Sequence, residues 1–317
     1  MVSVSLIRAT NYDIEPLESH IRALLAPLGG IEAYVQPGQR VLLKPNLLTG
    51  ARPTKECTTR PEVVYCVAKL VQAAGGKPFL GDSPAFGSAH GVAKANGLLQ
   101  WAQKLDLPIV ELHGKRYGLQ NSQFDHLLLS KEAMDADVVI NLPKMKSHVQ
   151  LTLTMGVKNL FGCVPGKMKA WWHMEAGKDR SRFAQMLVET AEAIAPDLTI
   201  LDGIIGHEGN GPSGGEPRQL GVLGASANVY GLDRAMVDVL QVDPSQIPTV
   251  AASQRLGLCP DNIEYVLYSP AELRIDGWQL PEQLMPIDFG MPRVMKSTFK
   301  HLYIRFIKEP MAAYARQ

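Results

Sequence analysis

The strongest constraint in this chain is a repeated order of short apolar run, polar turn, amphipathic helix and short apolar run. Residues 41–43 are an apolar strand, preceded by Pro37-Gly38 and followed at once by Lys44-Pro45-Asn46. Thr59-Arg60-Pro61-Glu62 then predicts a helix start. Thr59 and Glu62 have capping-box spacing, Pro61 suits the first turn, and Val63, Val64, Val67, Leu70 and Val71 share one face. Gly75-Gly76 ends that helix, and residues 77–80 return as a strand into Gly81-Asp82-Ser83-Pro84. Strands joined through a helix are accommodated by a parallel sheet with right-handed crossovers.

The same order continues. A strand is expected at 2–8 and a helix at 14–28, stopped by Gly29-Gly30. A helix follows at 89–105, strands at 109–112, 127–129 and 138–140, and a helix at 181–194 with Phe183, Met186, Leu187 and Ile194 inward. Strands at 198–201 and 220–223 and helices at 229–240 and 249–256 complete the pattern. The fold class is therefore α/β, a mostly parallel sheet with helices on both faces and a second smaller α/β lobe. At 317 residues, one large or two intimate lobes are expected. The core is placed at 1–290, with the lobes joined near 141–168, and a basic amphipathic tail at 291–317.

Ligands in such sheets bind outside the carboxyl ends of strands, where loops converge with helix N-termini. Four expected strands end in polar residues: Lys44 and Asn46, Asp82 and Ser83, Asn141 through His148, and Asp202 through Glu208. The stretch 137–167 is the densest, with Asn141, Lys144, Lys146, His148, Thr152, Thr154, Lys158 and Asn159 within twenty residues. After Pro143 an extended segment would put Lys144, Lys146 and His148 on one face. Lys44, Lys144 and Lys158 would neutralise an anionic or phosphorylated ligand. His148, with an ordinary pKa of about 6.5, would transfer a proton, and neighbouring lysines would lower that value. Asn46 and Asn159 would position the ligand. The plain alternative is a solvated basic loop.

The loop Glu208-Gly209-Asn210-Gly211-Pro212-Ser213-Gly214-Gly215 reads as an anion-binding nest, a lid or a linker, and its Gly209–Gly215 amides would help position the ligand. It is neither a Walker loop nor GxGxxG. Asp82, His148, His173, Asp202, His207 and Glu208 are the right types for a divalent metal, without a sequence-local ligand spacing. Cys163 beside several cations is either a reactive thiol or a small buried one. The four cysteines, Cys57, Cys66, Cys163 and Cys259, contain no Cys-x-x-Cys, which fits reduced thiols and a cytoplasmic setting.

A net charge of +1 gives no global field to recruit nucleic acid. No run of about 18 apolar residues predicts a membrane-spanning helix. The tail from Pro292 differs from the rest. Arg293, Lys296, Lys300, Arg305, Lys308 and Arg316 face one acid, Glu309, while Phe299, Leu302, Tyr303 and Phe306 recur at helical spacing. The tail is expected either to pack on the core or to meet a membrane surface or partner.

The segments VLLKPNL, TTRPEVV, GGKPFLGDSPAFG, NLPKMKSH, TMGVKNLFGCVPG and DGIIGHEGNGPSGGEPRQLG resemble successive blocks of the family called domain of unknown function 362. The similarity runs from Leu42 to Leu258. Some members append a ferredoxin-like domain rich in Cys-x-x-Cys, so the resemblance implies an iron–sulfur cluster or a ferredoxin-like partner. This chain carries the basic tail where that module would sit, and Arg60 where many relatives have histidine. A fainter similarity, to nickel-dependent lactate racemase, would make Lys158 a cofactor tether and His148 a metal ligand or base. Three functions follow: an enzyme on a small anionic substrate, a redox accessory protein, and a non-catalytic anion-binding module.

Overall fold

The computed structural model describes residues 1–116, 122, 124, 128–166, 168–287, 303–308 and 311. Along the chain the first half runs β1 (Val2–Arg8), α1 (Ile14–Leu25), β2 (Arg40–Pro45), α2 (Pro61–Ala73), β3 (Lys77–Gly81), α3 (Ala89–Ala95), α4 (Leu98–Lys104) and β4 (Ile109–Val110). Then come β5 (Gly114–Arg116), β6 (Leu128–Ser130), α5 (Lys131–Met134), β7 (Val138–Leu142), β8 (Lys144–His148), β9 (Thr152–Thr154) and α6 (Gly156–Leu160). The remainder is α7 (Met168–Glu175), α8 (Arg180–Ile194), β10 (Leu198–Glu208), β11 (Glu216–Ser226), α9 (Val229–Val239), α10 (Pro248–Arg255) and β12 (Ile263–Tyr265).

The main sheet has the order β12-β1-β11-β10-β7-β2-β3-β4, with β8 joined to β10 and β9 joined to β8. Its centre, β10-β7-β2-β3-β4, is parallel, while β11 is antiparallel to both β1 and β10. The expected mixed α/β architecture is present. The smaller second sheet is the antiparallel pair β5–β6.

Successive strand residues face opposite sides, and the core divides accordingly. Val41, Leu43, Val138, Ile140 and Leu142 pack with α1 and α2 on one face. Leu42 and Val139 pack on the other with Leu160, Phe183 and Leu187 of α6 and α8. Lys44 and Asn141, neighbours in the β2–β7 register, fall on this second face by the same alternation.

Several local expectations are corrected. The strand at 198–201 runs on to Glu208, and Glu216–Ser226 pairs back along it, so the glycine-rich loop is the tip of a long hairpin. Ile204 and Ile205 both pack against the same core cluster, and a register shift between Gly203 and Ile205 accommodates two successive apolar residues there. The helix expected at 89–105 breaks at Asn96-Gly97, where Gly97 has φ +83° and starts a second helix. Thr59 does not cap α2. Its hydroxyl accepts from Asn46 N (2.8 Å) and donates to Leu142 O (2.6 Å), tying the ends of β2 and β7 together. Most of the expected tail, including Arg293, Lys296, Phe299, Lys300, Leu302, Glu309 and Arg316, lies outside the described residues, as do Leu127 and Lys167.

Candidate functional site

The polar cluster forms because neighbouring strands stop at different depths. β2 ends at Pro45 beside Leu142, whereas β8 resumes after Pro143 and follows β10 further, pairing Lys144 with Asp202 and Lys146 with His207. The side chains beyond the ends of β2 and β3 therefore meet those of β8 and α6 in one buried polar cluster. Asn141 sits at its base.

Lys44 is completely buried, and its ammonium pairs with Asp82 Oδ1 at 2.9 Å while donating to Asn159 Oδ1 (3.2 Å) and Pro45 O (2.9 Å). Asp82 Oδ2 accepts from Leu47 N at 2.7 Å. Burial alone would raise the Asp82 pKa, but Lys44 and Lys169 outweigh it and hold the carboxyl below its ordinary range. Asn159 is the hub. Its oxygen also accepts from Asn46 Nδ2 (2.9 Å), and its nitrogen donates to Lys44 O (3.1 Å) and Asn141 Oδ1 (2.8 Å). Asn141 donates to Gly156 O (3.1 Å) at the start of α6. Asp233 of α9 fixes that helix, accepting from Gly156 N (2.7 Å) and Val157 N (3.0 Å).

Lys146 donates to Asn46 Oδ1 (2.8 Å) and Cys57 O (2.6 Å), neither of which is ionised. Desolvation and the like charges of Lys144 and Lys44 bring its pKa down to about 8. Lys158, half-buried on α6, lies over the Phe161 ring at 4.6 Å, and its ammonium makes no hydrogen bond or ion pair with any other described residue. Burial, then Lys169, Lys146 and Lys44, lower it to about 7. Lys169 reaches Ser83 O, and burial followed by Lys44 lowers it to about 8. Ser83 also accepts Gly166 N on its hydroxyl (2.9 Å) and donates its N–H to Gly162 O (3.1 Å).

His148 accepts Gln150 N on Nδ1 (3.1 Å), so its ring proton sits on Nε2. Desolvation first, then Lys158 and Lys146, push its pKa well below the usual value. Across the β8–β9 ladder His148 faces Thr152, a non-glycine residue at φ +64° whose buried hydroxyl has no partner among the described residues. Left-handed backbone at such a residue costs about 1–3 kcal/mol and persists only where surrounding structure enforces it.

Lys144 belongs to a different network. Its ammonium donates to Tyr12 Oη (2.9 Å) and pairs with Glu56 (2.8 Å) and Asp202 (3.0 Å), while Tyr12 donates to Asp202 (2.7 Å). Arg60, its guanidinium 4.5 Å from the Tyr12 ring centre, pairs with Glu56 at 3.0 Å. Three protein groups thus satisfy the Lys144 ammonium.

The glycine loop folds back on the protein. Gly209 N donates to Gln279 O (2.8 Å), Gly211 N to Gly209 O (2.9 Å) and Gly215 N to His207 Nε2 (3.0 Å). Gly211 O accepts from Val149 N at 3.0 Å. Three amides of this loop, which from sequence alone reads as a nest, a lid or a linker, are therefore used internally. Glu208 pairs with Arg218 (2.8 Å) and accepts Gln279 N (2.9 Å). Asn210, Gly211 and Ser213, with Val149 and Met285, line a separate open groove of about 560 Å³.

The metal candidates do not converge: among the described residues no three His, Cys, Asp or Glu side chains group as ligands. His173 directs Nδ1 at Ile287 O (3.1 Å). Burial raises the Cys163 thiol to about 12, opposite to the depression a reactive cysteine needs. Tyr12, Glu56, Thr59, Lys169 and Asp233 were missed from sequence. Only Lys169, next to the glycine-rich turn, carried a local signal, as a cation near other cations.

A family model described as "Domain of unknown function (DUF362)" matches residues 41–238. The chain is 66% identical over 314 residues to "Thylakoid-associated protein sll1697" of Synechocystis sp. (strain ATCC 27184 / PCC 6803 / Kazusa), covering 98% of each chain. The lactate racemase apoprotein from Thermoanaerobacterium thermosaccharolyticum superposes with a TM-score of 0.49 at 12% identity, over 75% of this chain and 57% of that one. The chain thus spans little more than half the length of that structure.

Proposed function

The chain belongs to the family described as Domain of unknown function (DUF362), and from that premise we propose an enzyme whose central crevice binds a small anionic or phosphorylated ligand. One observation carries this reading. Four ammonium groups, Lys44, Lys146, Lys158 and Lys169, gather around one carboxylate among the described residues, Asp82, and Lys158 has no ion-pair partner among them. Like charges held out of water repel strongly, and an anion entering the crevice would relieve the excess. The strained Thr152 with its unpartnered hydroxyl beside His148 adds a second sign of a ligand.

In this reading Lys158 and Lys169 contact the ligand, Lys146 adds charge from beneath, and Asn46 and Asn159 hold the lysines in place. His148, neutral with its proton on Nε2, donates a hydrogen bond to the ligand and can deliver that proton. Lys158, at about 7, can exchange a proton at neutral pH, where general acid–base groups work best. Preorganised donors in such a partly dry crevice contribute several kcal/mol, of order 3 for a single donor, to a transition state.

The test is thermal stability titrated with inorganic phosphate, pyrophosphate and small carboxylates, together with native mass spectrometry of the purified protein. A saturable rise in Tm that Lys158→Gln abolishes is expected. No anion dependence in the native chain would sink the assignment. Stabilisation without turnover of any retained ligand's chemical class would leave a binding module.

We also read the chain as a peripheral protein of a membrane surface. No helix among the described residues is long and apolar enough to cross a membrane, and the relative's name places that protein in association with thylakoids.

A further inference from the structure

We propose that the C-terminal segment from Pro292 is the element that docks the protein onto an anionic lipid surface. The proposal rests on the membrane-surface reading and adds to it the segment and the lipid charge. Exposed large apolar residues elsewhere occur singly or as adjacent pairs, with Trp171 52% exposed and Leu256, Leu267, Tyr268, Leu284 and Met285 about 40%, which is ordinary for a protein surface. Between Tyr303 and Met311 the situation differs. Tyr303 is 56% exposed, Phe306 65%, Ile307 47% and Met311 65%, within nine residues around the helical turn Ile304–Lys308. Such a concentration marks an interaction surface.

Charge identifies the occupant. The whole chain has 32 lysines and arginines against 31 acids. Six of those cations and one acid, Glu309, lie after Pro292, which leaves 26 cations against 30 acids in residues 1–291. The neutral total therefore conceals an acidic body and a strongly basic end. An anionic bilayer attracts that end and repels the body, which orients the protein on the surface. A phenylalanine, an isoleucine, a tyrosine and a methionine need an apolar medium as well as opposite charge. Aromatic and basic residues interleaved in one short segment match the boundary between headgroups and acyl chains.

The experiment is flotation of the full chain with vesicles of phosphatidylcholine alone and of phosphatidylcholine mixed with phosphatidylglycerol. The native protein is expected on the anionic vesicles only, and high salt should release it. Combined Tyr303→Ser, Phe306→Ser and Ile307→Ser should weaken partitioning about tenfold or more while leaving Tm unchanged. Combined Lys300→Gln, Arg305→Gln and Lys308→Gln should do the same. Undiminished flotation of both variants would overturn the proposal while leaving the membrane reading intact. A native chain that binds neither vesicle would overturn both. A lowered Tm in the serine variant, or tail-dependent self-association without flotation, would also overturn it, by making the segment a packing or dimerisation element.

Discussion

The Lys44 ammonium and the Asp82 carboxylate meet at 2.9 Å, both buried, and Gly162 is pressed directly against the pair. A Cβ at Gly162 would collide with Asp82 Oδ1 and Lys44 Nζ. Nothing larger than glycine fits without parting the two charges. Gly162→Ala is therefore expected to cost about 1–3 kcal/mol of stability through overpacking. It should also abolish stabilisation by phosphate. Thermal melts with and without the anion read both, and an unchanged response would show that the ion pair does not organise the crevice.

Lys144 should behave differently from Lys158. Lys144→Met leaves Glu56 and Asp202 facing each other without their shared cation, and breaking such a buried group costs about 3–5 kcal/mol. Lys158→Gln removes a cation with no described partner, so the unliganded protein should keep or gain stability while losing its anion response. Urea midpoints separate the two. A Lys158 variant as unstable as the Lys144 variant would contradict the assignment.

The pH dependence follows from the depressed lysines. Lys158 lies at about 7, and Lys146 and Lys169 at about 8. In the unfolded chain each returns to about 10.4, so between roughly pH 7 and pH 10 the unfolded state holds protons that the folded state has released. Stability of the unliganded protein should rise with pH across that window, while anion affinity falls as the ammoniums are lost. Native protein and Lys158→Gln compared by urea unfolding at several pH values should differ in slope; parallel lines would refute the low value for Lys158.

His148 can be dissected by which nitrogen is kept. Asparagine can still accept Gln150 N–H in place of Nδ1 but has no donor where Nε2–H stood. His148→Asn should fold with near-native Tm and lose turnover of any substrate that phosphate-site screening identifies. If its activity equals native, the Nε2 proton has no part in the chemistry.

Much of the architecture was legible in the chain. The parallel centre was readable because crossovers through helices leave few alternatives, and Lys44, Asn46, Asp82, Asn141 and Lys146 were expected at the carboxyl ends of strands, with Lys158 and Asn159 in the segment that follows. Local pattern failed at Thr59. Its spacing to Glu62 fits a cap, but a hydroxyl can bond only what lies within reach, and the ends of β2 and β7 lie closer. The hairpin β10–β11 was missed because antiparallel pairing is a contact between strands, whereas a glycine-rich loop looks alike in a nest, a lid or a turn.

The sequence by itself determined most of the elements, the separation of charge between body and tail, and the chemical types gathered at the strand ends, since these depend on residue order and near neighbours. Only the tertiary structure decided how the lysines divide. Lys144 and Lys146 are two residues apart on one strand, yet one meets Tyr12, Glu56 and Asp202 and the other meets neutral oxygens of Asn46 and Cys57. The charge that remains for a ligand is set by which carboxylates arrive from distant segments, such as Asp202, 58 residues from Lys144. Coulomb energy depends on distance and burial, which exist only once the chain has folded.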